Sequence, residues 1–556
     1  MNDQKNLLYA IIISLVILLG FQTIFPPEEK KSTNQIQNQE NIELPKLPDS
    51  IESFKERSET LNESDRIFIS GNARVTGSIA LTGGRFDDLI LNDYSKSITE
   101  DLGNIVLFSP SKTINSYFAE FGWVTNGTLE TPDKNTVWNQ VKGNQLGPGN
   151  PVTIEWISKE NVKFTRTIHL DENYMFSITQ KIENNGNQSS IIYPYGRISR
   201  TGFPDTLNFY ILHEGPIGVL EERLMEIDYD DLIDDGPKSI SSQNGWIGIT
   251  DKYWLTALIP EREKTTDFKF QSIQDSTTRF QTDYIGPPVE LMPGSISEFT
   301  SHLFAGAKEV SLLDDYASKF NINMFDRAVD FGWFYVITKP LFYLLHWLSG
   351  RLGNVGLAIL ALTVGIRIAM FPLANKSFKA MSRMKQLTPK MTSIRERYSD
   401  NKQQMQQEVM KLYKEEKVNP LAGCLPILVQ IPIFFALYKV LFVTLETRHQ
   451  PFYGWIEDLS APDPYSIFNL FGLIPIDLPN FLIIGGWPIL MAVTMFLQQK
   501  LNPAPPDPLQ AKVMMMLPLI FLFLFATFPS GLVIYWTWNN VLSIAQQWYI
   551  MKRVNS

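Results

Sequence analysis

Residues 361–378 read ALTVGIRIAMFPLANKSF, an apolar run that carries a permanent cation, Arg367, and stops at Pro372. A charge at the centre of a bilayer costs about 2.5 to 3.5 kcal/mol on insertion scales, so such residues face a bundle interior or a water-filled cavity. Pro372 follows Arg367 at a distance of about 7.5 Å by helical rise, and an arginine stem can snorkel over much of that. The stretch reads as the end of a lipid-spanning helix. Its arginine is either interface-seeking or the charge of an internal recess.

Working outward, apolar runs suited to lipid lie at about 350–371, 424–444, 483–499, 513–528 and 530–549. A sixth opens the chain in NLLYAIIISLVILLGFQTIFPPEEKK, where residues 7–25 reach about 28 Å, close to the hydrocarbon thickness. A cleaved signal peptide needs a shorter apolar core and a small-residue cleavage site, and neither is evident. Residues 1–25 therefore read as an anchor. Residues 26–60, polar and Pro-punctuated, bury too little surface to fold and read as a tether.

The net charge of −9 over 556 residues hides a split. Residues 1–320 hold 28 Lys+Arg against 45 Asp+Glu, and residues 321–556 hold 21 against 13. An acidic soluble part is thus joined to a basic, apolar part. Six spans put both termini on one side, and the terminal KRVNS, Lys500, Lys512 and the basic stretch after the second span mark that side as the cytoplasm. The acidic domain and the segment WIEDLSAPDP then lie outside it. The single cysteine, Cys424, allows no intramolecular disulfide, so the compartment rests on topology alone.

From 61 to 320 the texture is short alternating runs broken by turn signals such as TGG and GPGN, which predicts an antiparallel β-sandwich. In KFTRTIHL, Phe164, Arg166, Ile168 and Leu170 share a face; in MFSITQKI, Phe176, Ile178, Gln180 and Ile182 do likewise. These faces are imperfectly apolar. The histidines His169, His213, His302, His346 and His449 have no partner at metal-ligand spacing, and no phosphate loop or nucleophile elbow is evident. The acid pairs Asp87-Asp88, Asp230-Asp231 and Asp234-Asp235 read as solvated turn residues. Nothing here implies an enzyme, a metal or a cofactor.

Residues 321–349, with DFGWFYVITKPLFYLLHWL, predict an amphipathic helix lying in the outer interface, where aromatic rings are favoured. Within 375–420, Met381, Met384, Leu387, Met391 and Ile394 recur at helical spacing, YSDN interrupts, and Met405, Val409, Leu412 and Tyr413 resume, which predicts a helical hairpin. Its outer faces carry Lys379, Arg383, Lys385, Lys390, Arg395 and Arg397 among other bases. They are either a solvated positive-inside loop or a landing surface for anionic lipid headgroups, ribosomal RNA or an acidic partner.

Polar residues gather at the depth of Arg367. Thr363 lies one turn before it, Gln430 starts the third span, Gln498 and Gln499 end the fourth, and Gln546 and Gln547 end the sixth. Four helices contributing polar groups at one depth predict a hydrated recess open to the cytoplasm. Outward of it, FFALYKVLFVTL and LPLIFLFLFATF are largely apolar. A half-channel closed at its outer end is a poor ion pore, and it suits a polar segment that enters part way.

The stretches EEKVNPLAGCLPILVQIPIFFALYKVL (415–441), FPSGLVIYW (528–536), GIRIAMFPL (365–373) and GGRFDDLILNDY (83–94) resemble the YidC/Oxa/Alb insertase family in its Gram-negative form, over essentially the whole chain. The resemblance implies a polytopic α-helical membrane protein of the bacterial inner membrane, with an N-terminal anchor, a five-helix insertase core over 350–556 and a large periplasmic antiparallel β-sandwich. It implies an insertase or chaperone for nascent membrane proteins, working alone or with the Sec translocon, served by the ribosome and targeting machinery, in contact with anionic phospholipids and functional as a monomer. It further implies that Arg367 is the positive charge of a hydrophilic groove, and that Thr363, Ile431, Pro432, Phe434, Tyr535 and Trp536 line the path of the inserting segment. The sequence departs from the family at Trp536, where a second tyrosine is usual, and in the longer FNLFGLIPIDLPNFLIIGGW before the fourth span. A solute transporter would show repeated halves with paired broken helices, and an envelope scaffold would work without the membrane core.

Overall fold

The computed structural model describes residue 44 and residues 54–555, apart from 99–101, 205–211, 275–276, 400, 417–424, 472, 475–478, 480–481 and 502–507. The anchor read at 1–25, most of the tether read at 26–60, and Cys424 lie outside the described residues.

Among the described residues, nineteen strands between Arg66 and Ala307 form two antiparallel sheets, one of ten strands and one of nine. Strands remote in the chain meet inside them. Ile296–Ala307 lies between Trp254–Ile259 and Met175–Asn184, and Ser190–Thr201 lies between Tyr117–Thr125 and Thr278–Ile285. Val162–Leu170 pairs with Met175–Asn184 so that Phe164 faces Ile182, Arg166 faces Gln180, Ile168 faces Ile178 and Leu170 faces Phe176. All eight are buried. The sheets pack face to face through aromatic contacts such as Phe86 on Phe176, centroids 5.5 Å apart, and Trp123 on Phe164 at 5.1 Å.

The two polar members of that face are as deeply buried as the rest, each 1% exposed. Burying a cation needs hydrogen bonds. Arg166 donates through Nη1 to the Gly84 carbonyl at 2.7 Å, in the turn that leads into strand Arg85–Ser95 of the opposite sheet, and through Nη2 to the Phe121 carbonyl of that sheet, and Gln180 donates to the Gly122 carbonyl at 3.2 Å. The guanidinium also lies 4.8 Å from the Trp138 ring centroid. Gly84 makes this possible: it sits at φ +60, and a Cβ there would fall 2.4 Å from Arg166 Nη1. Polar letters on an inward face thus clip the two sheets together.

Several other buried charges of the sandwich are paired. Glu120 accepts from Arg85 Nε at 3.0 Å and from Arg197 Nη2. Asp87 and Asp88, expected as solvated turn acids, instead lie inside strand Arg85–Ser95, where Asp87 pairs with Arg66 and Asp88 with Arg57. Strand geometry sends adjacent side chains to opposite faces, so each meets its own arginine. The pairs Asp230-Asp231 and Asp234-Asp235 are exposed.

Eleven helices accompany the strands among the described residues. Three belong to the sandwich and its junction: α1 (Arg57–Leu61), α2 (Tyr229–Asp234) and α3 (Val310–Lys319). The core holds α4 (Tyr335–Leu352), α5 (Val355–Ala369), α6 (Phe371–Arg397), α7 (Lys402–Glu415), α8 (Leu425–Val443), α9 (Gly486–Leu501), α10 (Pro508–Phe525) and α11 (Ser530–Asn555). Among the described residues no single helix is long and apolar enough to cross a membrane, while α5 and α6 together pass that test across a bend of 67°. The bend falls where Pro372 opens α6; in a first helical turn its missing N–H removes no bond.

Helix α5 begins at Val355, later than the apolar run at 350 suggests. Gly353, at φ 68, ends α4, and Asn354 caps α5 by accepting from the Leu357 N–H at 3.0 Å. Helix α6 begins at Phe371, earlier than 375. It folds back on α7, with Leu387, Met391, Leu412 and Tyr413 buried between them and Met384, Ile394 and Val409 packed alongside. Met381 and Met405 lie outside that cluster. Sandwich and core meet through polar ties. Lys439 of α8 pairs with Asp330 at 2.7 Å, Lys339 of α4 bridges Asp314 and Asp326 at 2.7 Å each, and Arg448 donates to the Ser95 carbonyl at 2.6 Å.

Burial raises the Glu120 carboxyl, but Arg197 and Arg85 overpower it and hold the group at about 2, below its ordinary 4.5. A depressed carboxylate stabilises the fold above its unfolded pKa and loses that contribution as pH falls. Acid titration of the sandwich followed by circular dichroism is therefore expected to show about 3 kcal/mol of stability lost between roughly pH 4.5 and 2, with the loss absent in Glu120→Gln. Arg166→Met, which leaves two inter-sheet carbonyls unpaired, is expected to cost about 2 to 5 kcal/mol in denaturant unfolding.

Candidate functional site

The last turn of α5 carries Arg367, where a cation complements the helix dipole. Its side chain turns toward α11. Nε donates to Asn539 Oδ1 at 2.9 Å, and Nη2 donates to Asn539 Oδ1 at 2.6 Å, to the Asn539 carbonyl at 3.3 Å and to Ser543 Oγ at 2.6 Å. Asn539 Oδ1 also accepts from Gln430 Nε2 of α8 at 3.1 Å. Gln546 returns a bond from Nε2 to the Arg367 carbonyl at 3.4 Å. Three helices therefore converge on one amide oxygen. The partners of the guanidinium are an amide, a carbonyl and a hydroxyl, and among the described residues no carboxylate pairs with it.

An aromatic wall lies beside this cluster. Phe434 of α8 stacks near Tyr535, centroids 6.3 Å apart at 24°, and meets Trp536 edge-on at 4.7 Å. Trp536 in turn packs against Phe521 at 6.0 Å and Phe525 at 4.9 Å, both of α10. Tyr535 is buried, Phe434 and Trp536 are half-buried, and Ile431 is exposed at 42%. Pro432 interrupts the hydrogen-bond ladder inside α8 next to these residues.

The structure thus brings Arg367, Gln430, Phe434, Tyr535 and Trp536 into one neighbourhood. Thr363 is buried one turn away, with its hydroxyl donated to the Ile359 carbonyl of its own helix at 2.7 Å. Gln499 bonds instead to the backbone of Met514 in α10. The hairpin bases stand apart on α6. Lys379, Arg383, Lys385, Lys390 and Arg397 are exposed, Arg395 is half-buried, and Lys390 pairs with Glu416 at 2.6 Å.

The sequence reading passed over Asn539, Ser543, Asn540 and Thr494. Asn540 donates to Thr494 Oγ1 of α9 at 3.2 Å, which ties a fourth helix to α11. A signal for the first two exists: Tyr535, Asn539, Ser543 and Gln547 recur every four residues and so share one helix face. The arrangement makes no bond-breaking chemistry. It offers an uncompensated positive charge beside an aromatic wall, a combination that attracts an anionic or polar segment and tolerates an apolar one.

The family model described as 60Kd inner membrane protein matches residues 347–556, which contain this cluster, and the model described as YidC periplasmic domain matches residues 71–344. The membrane protein insertase YidC of Rickettsia bellii is 50% identical over 558 residues, covering 99% of this chain and 99% of that protein. The YidC of Rickettsia felis is 50% identical over 561 residues with the same coverage. Among solved structures, the crystal structure of an active YidC insertase with its first transmembrane domain resolved is similar at 19% identity and a TM-score of 0.37, covering 86% of this chain and 91% of that one. On identity sustained over the full length of both chains, this protein belongs to the YidC family of membrane protein insertases.

Proposed function

We propose that the chain is an inner-membrane insertase that receives nascent membrane proteins at the Arg367 cluster and releases their apolar segments into lipid past the aromatic wall. The observation that carries this reading is the guanidinium turned into the bundle and held, among the described residues, by neutral acceptors. Such a cation keeps its full charge available to the polar or acidic flank of an arriving segment. Thr363, Gln430, Ile431, Pro432, Phe434, Tyr535 and Trp536 complete the lining of the groove in this reading.

The topology that goes with it has six spans, the anchor at 1–25 and five from the core, with both termini cytoplasmic and the sandwich in the periplasm. Helix α4 lies along the outer interface. The hairpin of α6 and α7 projects Lys379, Arg383, Lys385, Lys390, Arg395 and Arg397 toward the cytoplasm, where they meet anionic phospholipid, the ribosome or the targeting machinery. The chain works as a monomer, by itself or beside the Sec translocon. No nucleotide is needed, because each strongly apolar residue that reaches the helix centre gains about 0.3 to 0.6 kcal/mol in lipid.

The test is protease-protected insertion of a small single-span protein with an acidic flank into liposomes that hold the purified chain. Arg367→Ala is expected to lower insertion about tenfold, the equivalent of about 1.4 kcal/mol of attraction at a partly hydrated site. Unchanged insertion by that variant sinks the groove role of Arg367. A second substitution separates charge from architecture. Asn539→Ala leaves buried N–H donors unpaired and is expected to cost about 1 to 3 kcal/mol in thermal unfolding. Asn539→Asp keeps the shape, neutralises Arg367 and is expected to keep the fold while losing insertion of acidic clients as Arg367→Ala does.

A further inference from the structure

Beneath the sandwich, away from the Arg367 cluster, a cavity of about 260 Å³ opens between α4, the start of α5 and the chain that follows α8. One wall is apolar, with Phe342, Leu345 and Val355. The facing wall is Thr444, Glu446 and Thr447. The hydroxyl hydrogens of that wall are already committed inward: Thr444 donates to the Val440 carbonyl at 2.7 Å and Thr447 to the Thr444 carbonyl at 2.9 Å. Each hydroxyl has one hydrogen, so what these oxygens retain is lone pairs.

Glu446 sits between them with its carboxyl incompletely satisfied. Its Oε1 accepts a long 3.4 Å bond from the Val310 N–H at the start of α3, and its Oε2 is buried with no hydrogen-bond partner. Burial, with repulsion from Glu309, pushes this carboxyl up to about 7. The other titratable group on the wall, His346, stacks its ring on Phe342 with centroids 5.9 Å apart. Among the described residues no base forms an ion pair with Glu446.

A wall of acceptors around an unsatisfied carboxyl complements a cation rich in N–H donors. A primary ammonium carries three such donors. The space holds several times the roughly 30 Å³ share of one water, enough for an ammonium together with the carbons that carry it. Glu446 is among the residues that line the cavity, and the terminal torsion of a glutamate is broad. On the topology proposed above, the cavity lies at the level of the outer lipid headgroups, close to Trp347, which is 56% exposed on α4.

We propose that this cavity binds a primary ammonium group, as carried by an ethanolamine lipid headgroup or by a free alkylamine, with Glu446 as its counter-ion and the Thr444 and Thr447 hydroxyls as acceptors. A bound headgroup joins α4, the start of α5 and the chain that follows α8 through a single ligand.

The test titrates the purified full chain in detergent with short-chain phosphatidylethanolamine, short-chain phosphatidylcholine and ethanolamine, reading bound ligand by native mass spectrometry and the thermal midpoint. Phosphatidylethanolamine is expected to bind about tenfold more tightly than phosphatidylcholine, whose quaternary ammonium donates no N–H, and to raise the midpoint. Glu446→Gln is expected to abolish that preference and leave the ligand-free midpoint unchanged or higher. Ser349→Leu, which fills the cavity from α4 and keeps the carboxyl, is expected to abolish it too and keeps the test decisive if the first variant is unstable. Competition by ethanolamine alone assigns the site to soluble amines as well, and its failure assigns the site to the lipid. Equal binding of the two lipids by the native chain, or a preference that survives Glu446→Gln, overturns the proposal.

Discussion

A guanidinium among apolar helices has five N–H donors and little water to satisfy them, so the protein around it must supply acceptors. Much of the core follows from that constraint. Helix α11 must pass close enough to α5 for Asn539 and Ser543 to reach Arg367, and α8 must approach the same point for Gln430 to share the Asn539 oxygen. The bend after Ala369 then carries the polar, basic α6 away from the apolar bundle at 67°. A straight continuation would have kept the hairpin cations on the axis of α5.

The sandwich meets the same rule with different means. It has carboxylates to spare, so Glu120, Asp87 and Asp88 each meet an arginine. Arg166, which forms no ion pair among the described residues, uses the backbone carbonyls of Gly84 and Phe121, much as Arg367 uses amide and hydroxyl oxygens. The two domains therefore treat a carboxylate-free arginine alike. The difference lies in position: Arg166 is sealed between sheets, and Arg367 is only half-buried.

How much of this was legible in the sequence depended on contrast and periodicity. The alternation in Val162–Leu170 and Met175–Asn184 marks one face per strand, and the eight residues on those faces are opposite one another and buried, because a strand's side-chain period of two leaves no other choice. The helical spacing either side of YSDN likewise marks the seam of α6 and α7. What the sequence does not carry is pairing between remote strands, such as Ile296–Ala307 beside Met175–Asn184. Nor does it distinguish a buried pair of adjacent acids from a solvated one. In the candidate site, Arg367 and Gln430 stand out because they interrupt apolar runs. Asn539 and Ser543 lie in YWTWNNVLS, where polar residues are common and none attracts notice. Thr363 is different again: its hydroxyl is satisfied within its own helix, and no local pattern reveals that.

The neutrality of the groups around Arg367 has one more consequence. An amide, a hydroxyl and a backbone carbonyl do not ionise near neutral pH, and an arginine stays protonated throughout that range. A site built on histidine, or on an arginine matched to a titrating acid, would gain and lose charge as conditions changed. This one holds a constant potential. It acts as a standing bias instead of a switch, and the only variable it leaves open is the charge of whatever approaches it.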